Sequence, residues 1–125
     1  MRSPDVDDLL AQRSHPLAAA IAAIRSELLA VPDVVEDVKW NAPNYALADD
    51  FATLQLRRDD VVQVILHTGA KVKPDHPEIV LDPVPSFAKR AGRNRFVLSF
   101  SAATLSDDER AEFSGAVRSW TAQLV

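Results

Sequence analysis

"FATLQLRRDDVVQVILH", residues 51–67, holds two runs of alternation around a polar turn. In the first, Ala52, Leu54 and Leu56 share one side, and Thr53, Gln55 and Arg57 the other. In the second, Val62, Val64 and Leu66 oppose Val61, Gln63, Ile65 and His67. A period of two is that of a pleated strand, so the stretch reads as a β-hairpin with one apolar and one mixed face. Further along, "RFVLSFS" (95–101) repeats the pattern, with Phe96, Leu98 and Phe100 opposite Val97, Ser99 and Ser101. "EDVKW" (36–40) and "NYALA" (44–48) offer further strands, and "EIVL" (78–81) a short edge piece in a stretch otherwise broken by prolines.

The flanks are helical. Ser3 caps a first helix, Pro4 suits its first turn, and Asp5, Asp7 and Asp8 favour the positive end of its dipole. Leu17, Ile21, Ile24 and Leu28 then form an apolar stripe among alanines, ended by Pro32 and Asp33. At the far end Ser106 and Glu109 make a capping box before the stripe Phe113, Val117, Trp120 and Leu124. Strands at hairpin spacing between terminal helices predict an α+β domain over residues 1–125. Its antiparallel sheet would have about five strands, backed on one face by the N- and C-terminal helices. The other face, with Thr53, Gln55, Arg57, Gln63, His67 and Ser99, is left to water or to a ligand.

Composition narrows the function classes. A content of 47% hydrophobic and 26% charged residues is that of a globular protein, and no apolar run is long enough for a membrane span. The start lacks the apolar core of a signal peptide, which makes the cytoplasm the expected location. The chain has no cysteine, which removes thiolate metal sites and thiol nucleophiles. With 14 basic and 18 acidic residues the net charge is −4, which argues against a nucleic-acid partner. The basic run "KRAGRNR" (89–95) reads as a solvated turn before a strand.

Two segments carry the candidate chemistry. In "KWNAPNY" (39–45) Pro43 lacks a ladder donor and favours an extended Ala42, so a kinked link between strands is expected. Trp40 is expected in the core, with Asn41, Asn44 and Tyr45 presenting polar groups at a rim. In "HTGAK" (67–71) Gly69 permits a tight turn whose N–H groups would meet an anion beside Lys71. His67 as a general base would need a nucleophile or an orienting carboxylate, and neither is evident. No serine elbow or zinc-ligand spacing occurs, so the chain reads as non-enzymatic.

"VEDVKWNAPNYALADDFATLQLR" (35–57), "HTGAK" and "RFVLSF" (95–100), followed by the closing helix, resemble the YdhG-like family of small domains of unknown function. The similarity runs from Leu17 to Leu124, with Asn41 where the family often has glycine. It implies a curved antiparallel sheet backed by helices, and a short helix within "PSFAKRAGRNR" (85–95). It implies no catalytic residues. Because one member is described as a frataxin-like intracellular iron chaperone, it also implies iron as a candidate ligand.

Three expectations follow. The first is a cleft for a small polar or anionic ligand, built from Lys39, Trp40, Asn41, Asn44, Tyr45, Arg57, His67, Gly69 and Lys71. The second, from the resemblance, is iron binding through acidic residues, with Asp5, Asp8, Asp49 and Asp50 as ligands. The third is a homodimer or protein-interaction surface at Val61, Ile65 and Val97, so the chain is expected to be a monomer or a homodimer.

Overall fold

A computed structural model describes residues 2–71 and 73–125. Helices α1 (Pro4–Arg13) and α2 (Ala18–Leu29) precede six strands, β1 (Val35–Lys39), β2 (Ala42–Ala46), β3 (Asp50–Gln55), β4 (Val62–Leu66), β5 (Ala88–Gly92) and β6 (Arg95–Phe100), and α3 (Asp107–Ala122) closes the chain. The strands form one antiparallel sheet in the order β1-β2-β3-β4-β6-β5. This is the expected α+β architecture, with one strand more than the alternation announced. No helix among the described residues is long and apolar enough to cross a membrane.

The alternation holds from Ala52 to Arg57 and from Val61 to Leu66, while Phe51 and His67 at the two ends are also buried. Ala52 faces Leu66 and Leu54 faces Val64 across β3 and β4, and Leu66 and Val64 in turn face Phe96 and Leu98 of β6. These side chains are buried, and Ile21, Ile24 and Leu28 of α2 and Phe113, Val117 and Trp120 of α3 join them in one core. The predicted capping box is formed, with Glu109 N–H donating to Ser106 Oγ and Ser106 N–H to Glu109 Oε1, both at 3.1 Å. His15 organises the start of α2. Its Nδ1 accepts from Leu17 N–H at 2.9 Å, so its protonated Nε2 donates to the Arg58 carbonyl at 2.6 Å.

Three local expectations are corrected. "KWNAPNY" is a two-residue β-hairpin, with Lys39 facing Ala42 across a turn of Trp40 and Asn41. Both turn residues have positive φ (51° and 57°), as the type I′ turns that fit the twist of a hairpin require. Pro43 is tolerated inside β2 because Lys39 and Ala42 flank the loop as a hydrogen-bonded pair. The next pair, Val38 and Pro43, is then one that exchanges no bonds. Second, the "AKRAG" portion of 85–95 forms strand β5 instead of a helix or a solvated turn, because a second tight turn at 93–94 folds it against β6. Third, "EIVL" joins no ladder. Ile79 and Leu81 are buried by side-chain packing, while Ile79 N–H donates to Asn94 Oδ1 at 2.8 Å.

A polar clamp ties the N-terminal helices to the first hairpin. Glu36 of β1 is buried, and its carboxylate accepts from Arg25 Nε (2.8 Å) and Nη2 (2.7 Å), Tyr45 Oη (2.6 Å) and Ser3 N–H (2.8 Å). Arg25 of α2 also donates to Asp7 of α1 at 2.7 Å. Burial by itself would raise the Glu36 pKa. The bonds from Arg25, Ser3 and Tyr45 outweigh it and hold the carboxyl below its ordinary range. Burial and the neighbouring Glu36 push the Tyr45 hydroxyl up, so it stays protonated and donates.

Candidate functional site

The face away from the helices carries a continuous polar network. Period two places Asp37, Lys39, Asn44, Thr53 and His67 on this side of β1 to β4. Lys39 Nζ donates to both oxygens of Asp50 (3.0 and 2.9 Å), and Asn44 Nδ2 donates to Asp50 (2.9 Å) and to Asp37 (3.0 Å). Thr53 Oγ1 donates to Asn44 Oδ1 at 2.9 Å and lies 3.0 Å from His67 Nε2. Gly69 N–H donates to His67 Nδ1 at 3.0 Å.

These partners fix the protons. Nδ1 accepts from a backbone N–H, so His67 carries its proton on Nε2 and donates it to Thr53. A threonine 3.0 Å from a histidine has the look of a nucleophile and its base. Here the hydroxyl already gives its proton to Asn44, and the facing ring nitrogen has no free lone pair. The pair therefore orders the network and activates nothing. Burial first, and then the Arg95 cation, lower the His67 pKa below the usual histidine value of 6.5, partly opposed by Asp50 and Asp49. His67 therefore stands on this face as a neutral ring that accepts at Nδ1 and donates at Nε2.

Beside this network lies a groove of about 900 Å³. Trp40, Asn41 and Ala42 at the β1–β2 tip form one wall, and Leu9, Gln12 and Arg13 of α1 line its end. Thr53, Gln55, Arg57 and Ile65 make the floor, and His67, Gly69, Ala70 and Arg95 the far wall. The space opens because the pairing of β2 with β3 stops at Asn44 and Thr53, and the hairpin tip leaves the sheet there. Beyond that point the Leu56 carbonyl accepts from Arg13 Nε at 3.1 Å instead of from a strand.

Five of the nine expected ligand residues line this groove: Trp40, Asn41, Arg57, His67 and Gly69. The roles expected of Trp40 and Tyr45 are exchanged. Trp40 is 61% exposed at the tip, whereas Tyr45 faces the core and is bound to Glu36, because its parity in β2 pairs it with Ala52. Lys39 and Asn44 serve the network behind the groove, with Lys39 spent on Asp50, and Lys71 is exposed outside it. Gly69 is required by its backbone, and any added side chain would also displace the Asp49 carboxylate. Its φ is +117°, and a Cβ there would come within 2.8 Å of Asp49 Oδ2.

Arg95 is the contribution sequence reasoning missed. It ends the basic run that reads as a solvated turn, although the alternation of "RFVLSF" sets it on the side of Val97 and Ser99. Gln12 and Arg13 carried no such signal, since how a helix docks beside a sheet is not written in its own periodicity.

The acidic residues expected to hold iron do not converge. Asp5 and Asp8 lie exposed on α1, Asp49 is paired with Lys73 at 2.8 Å, and Asp50 with Lys39. Among the described residues no group of three or more His, Asp or Glu side chains is arranged to hold a metal ion. Comparison of the chain with protein-family models, curated proteins and solved structures finds no match.

The lowered His67 pKa has a checkable consequence. In the folded protein the ring should titrate below 6.5 by NMR. Between that value and 6.5 the unfolded chain binds more protons, so this stabilisation is complete above pH 6.5 and declines as pH falls. A His67 titration at or above 6.5 would contradict the hydrogen-bond assignment.

Proposed function

We propose that the open sheet face binds an anionic ligand, without catalysis, in the groove beneath Trp40. The observation that carries this reading is the sign of its lining. A chain with net charge −4 places Arg13, Arg57 and Arg95 along one groove and no carboxylate with them. Arg13 is paired with Asp59 at 2.7 Å, whereas Arg57 and Arg95 have no ion-pair partner among the described residues. Guanidinium groups are the side chains suited to carboxylate and phosphate.

Trp40 adds support. A large aromatic side chain is held in water on a residue of positive φ, two costs that the hairpin does not need. Trp40→Asn is expected to raise stability by about 1 kcal/mol, because asparagine tolerates the left-handed region better. The same variant should weaken ligand binding. A loss of stability in thermal unfolding would show that the indole serves the fold instead.

Citrate is a suitable first probe, followed by NMR at low salt. Shifts are expected to cluster on the Trp40 indole, Asn41, His67 and Gly69, and to fade as salt screens the charges. Citrate is small enough to engage one end of the groove, so at least one of Arg57→Gln and Arg95→Gln should weaken its binding about tenfold, the loss of one charge-assisted contact. Scattered shifts, or affinity indifferent to both arginines, would count against the groove.

A further inference from the structure

We infer that the natural occupant of this groove is an extended acidic peptide segment, a reading that rests on the anion site proposed above. The two unpaired guanidinium groups stand at opposite ends of the groove. Arg95 precedes Phe96, which pairs with Leu66, so it neighbours His67 on the open face. Arg57 lies two residues past Gln55, which pairs with Gln63. Six residues of strand rise separate the two positions, about 20 Å along the sheet. A single small anion cannot engage both ends.

The space between them suits a peptide. Gln55 and Asn41 line its middle with neutral amides that both donate and accept, as peptide groups do. Ile65 offers an apolar floor for a side chain, and Trp40 a flat wall. An extended peptide rises about 3.3 Å per residue, so acidic side chains about six residues apart would meet Arg57 and Arg95. That even spacing puts both on the same side of the peptide. With only two free arginines, the groove lacks the run of cations a nucleic-acid strand needs.

The test compares four probes by the acrylamide quenching of tryptophan emission. Trp40 is exposed and Trp120 fully buried, so protection on binding reports Trp40. The probes are a seven-residue peptide with capped termini, glutamate at both ends and uncharged residues between, the same peptide with one glutamate, citrate, and a hexathymidylate strand. The two-ended peptide is expected to bind at least about tenfold tighter than the one-ended peptide. Arg57→Gln and Arg95→Gln should each reduce it to the one-ended affinity, with unchanged thermal unfolding as the check on folding. Equal affinity of the two peptides, still lowered by the arginine variants, would overturn the extended ligand and leave the anion site standing. Tighter binding of hexathymidylate than of the two-ended peptide would overturn the peptide in favour of a nucleic-acid strand. No protection by any probe, citrate included, would remove the anion site as well.

Discussion

Glu36→Ala is expected to cost about 3–5 kcal/mol of folding stability, the range for breaking a buried ion pair by removing one partner. The loss exceeds a single contact because one carboxylate serves three elements. Without it Arg25, whose side chain is only 9% exposed, keeps its charge and retains, among the described residues, Asp7 alone as an ionic partner. The Tyr45 hydroxyl and the Ser3 N–H lose their acceptor in the same step. A domain of this size has about 5–15 kcal/mol in total, so the variant would stand near the edge of folding. Urea unfolding is the measurement, with a lower midpoint and an unchanged slope expected. A midpoint within error of the parent would mean that the clamp is incidental.

The clamp also sets an acid limb. Glu36 is more acidic folded than unfolded, so the unfolded chain takes up protons first as pH falls. Its stabilisation is whole above the ordinary value of 4.5 and is lost as pH falls through the folded pKa. Glu36→Gln should flatten that decline while lowering stability at neutral pH.

Trp120→Ala is the second large effect expected, about 3–5 kcal/mol for deleting a buried aromatic side chain. The indole is fully buried, meets Phe96 edge to face at 6.0 Å, and donates from Nε1 to the His67 carbonyl at 3.0 Å. That bond holds the backbone of a groove-lining residue at the end of β4, so the variant should also weaken ligand binding. The melting temperature should fall on the order of 15 °C. Trp120→Phe separates the two roles, keeping most of the packing while leaving the His67 carbonyl without its donor, at about 1–3 kcal/mol. If Trp120→Phe bound citrate like the parent, the hydrogen bond would not be what shapes the wall.

Much of this was legible in the sequence because burial enforces it. In β3 and β4 the buried Leu54, Val62, Val64 and Leu66 alternate with half-buried Thr53, Gln55, Gln63 and Ile65, and a one-residue slip would exchange the two sets. The capping box before α3 was equally plain, being a local bargain between Ser106 and Glu109. What escaped were places where a tertiary partner overrides a local rule. Pro43 argues against an inner strand, yet its missing donor falls where β1 asks for none. Trp-Asn lacks the glycine that announces a type I′ turn, so the hairpin was read as a kink. In β5, Lys89, Arg90, Ala91 and Gly92 are all exposed, so no alternation of apolar and polar residues marks the strand. Of the site, the strand residues could be read from parity. The convergence of a helix end, a hairpin tip and the His67–Gly69 turn could not.

The sheet is open and so has two unpaired margins, each of which invites another chain to add a strand. Neither is a clean template for growth. The β5 margin carries Lys89 and breaks register between Arg90 and Gly92, and such an irregularity twists a margin away from a flat neighbour. Two copies meeting there would also set cation against cation. The β1 margin carries Asp37 and Lys39 on its open face, and α1 packs against that strand. Resistance to fibril growth is thus built into the same two hairpins that the sequence hid best.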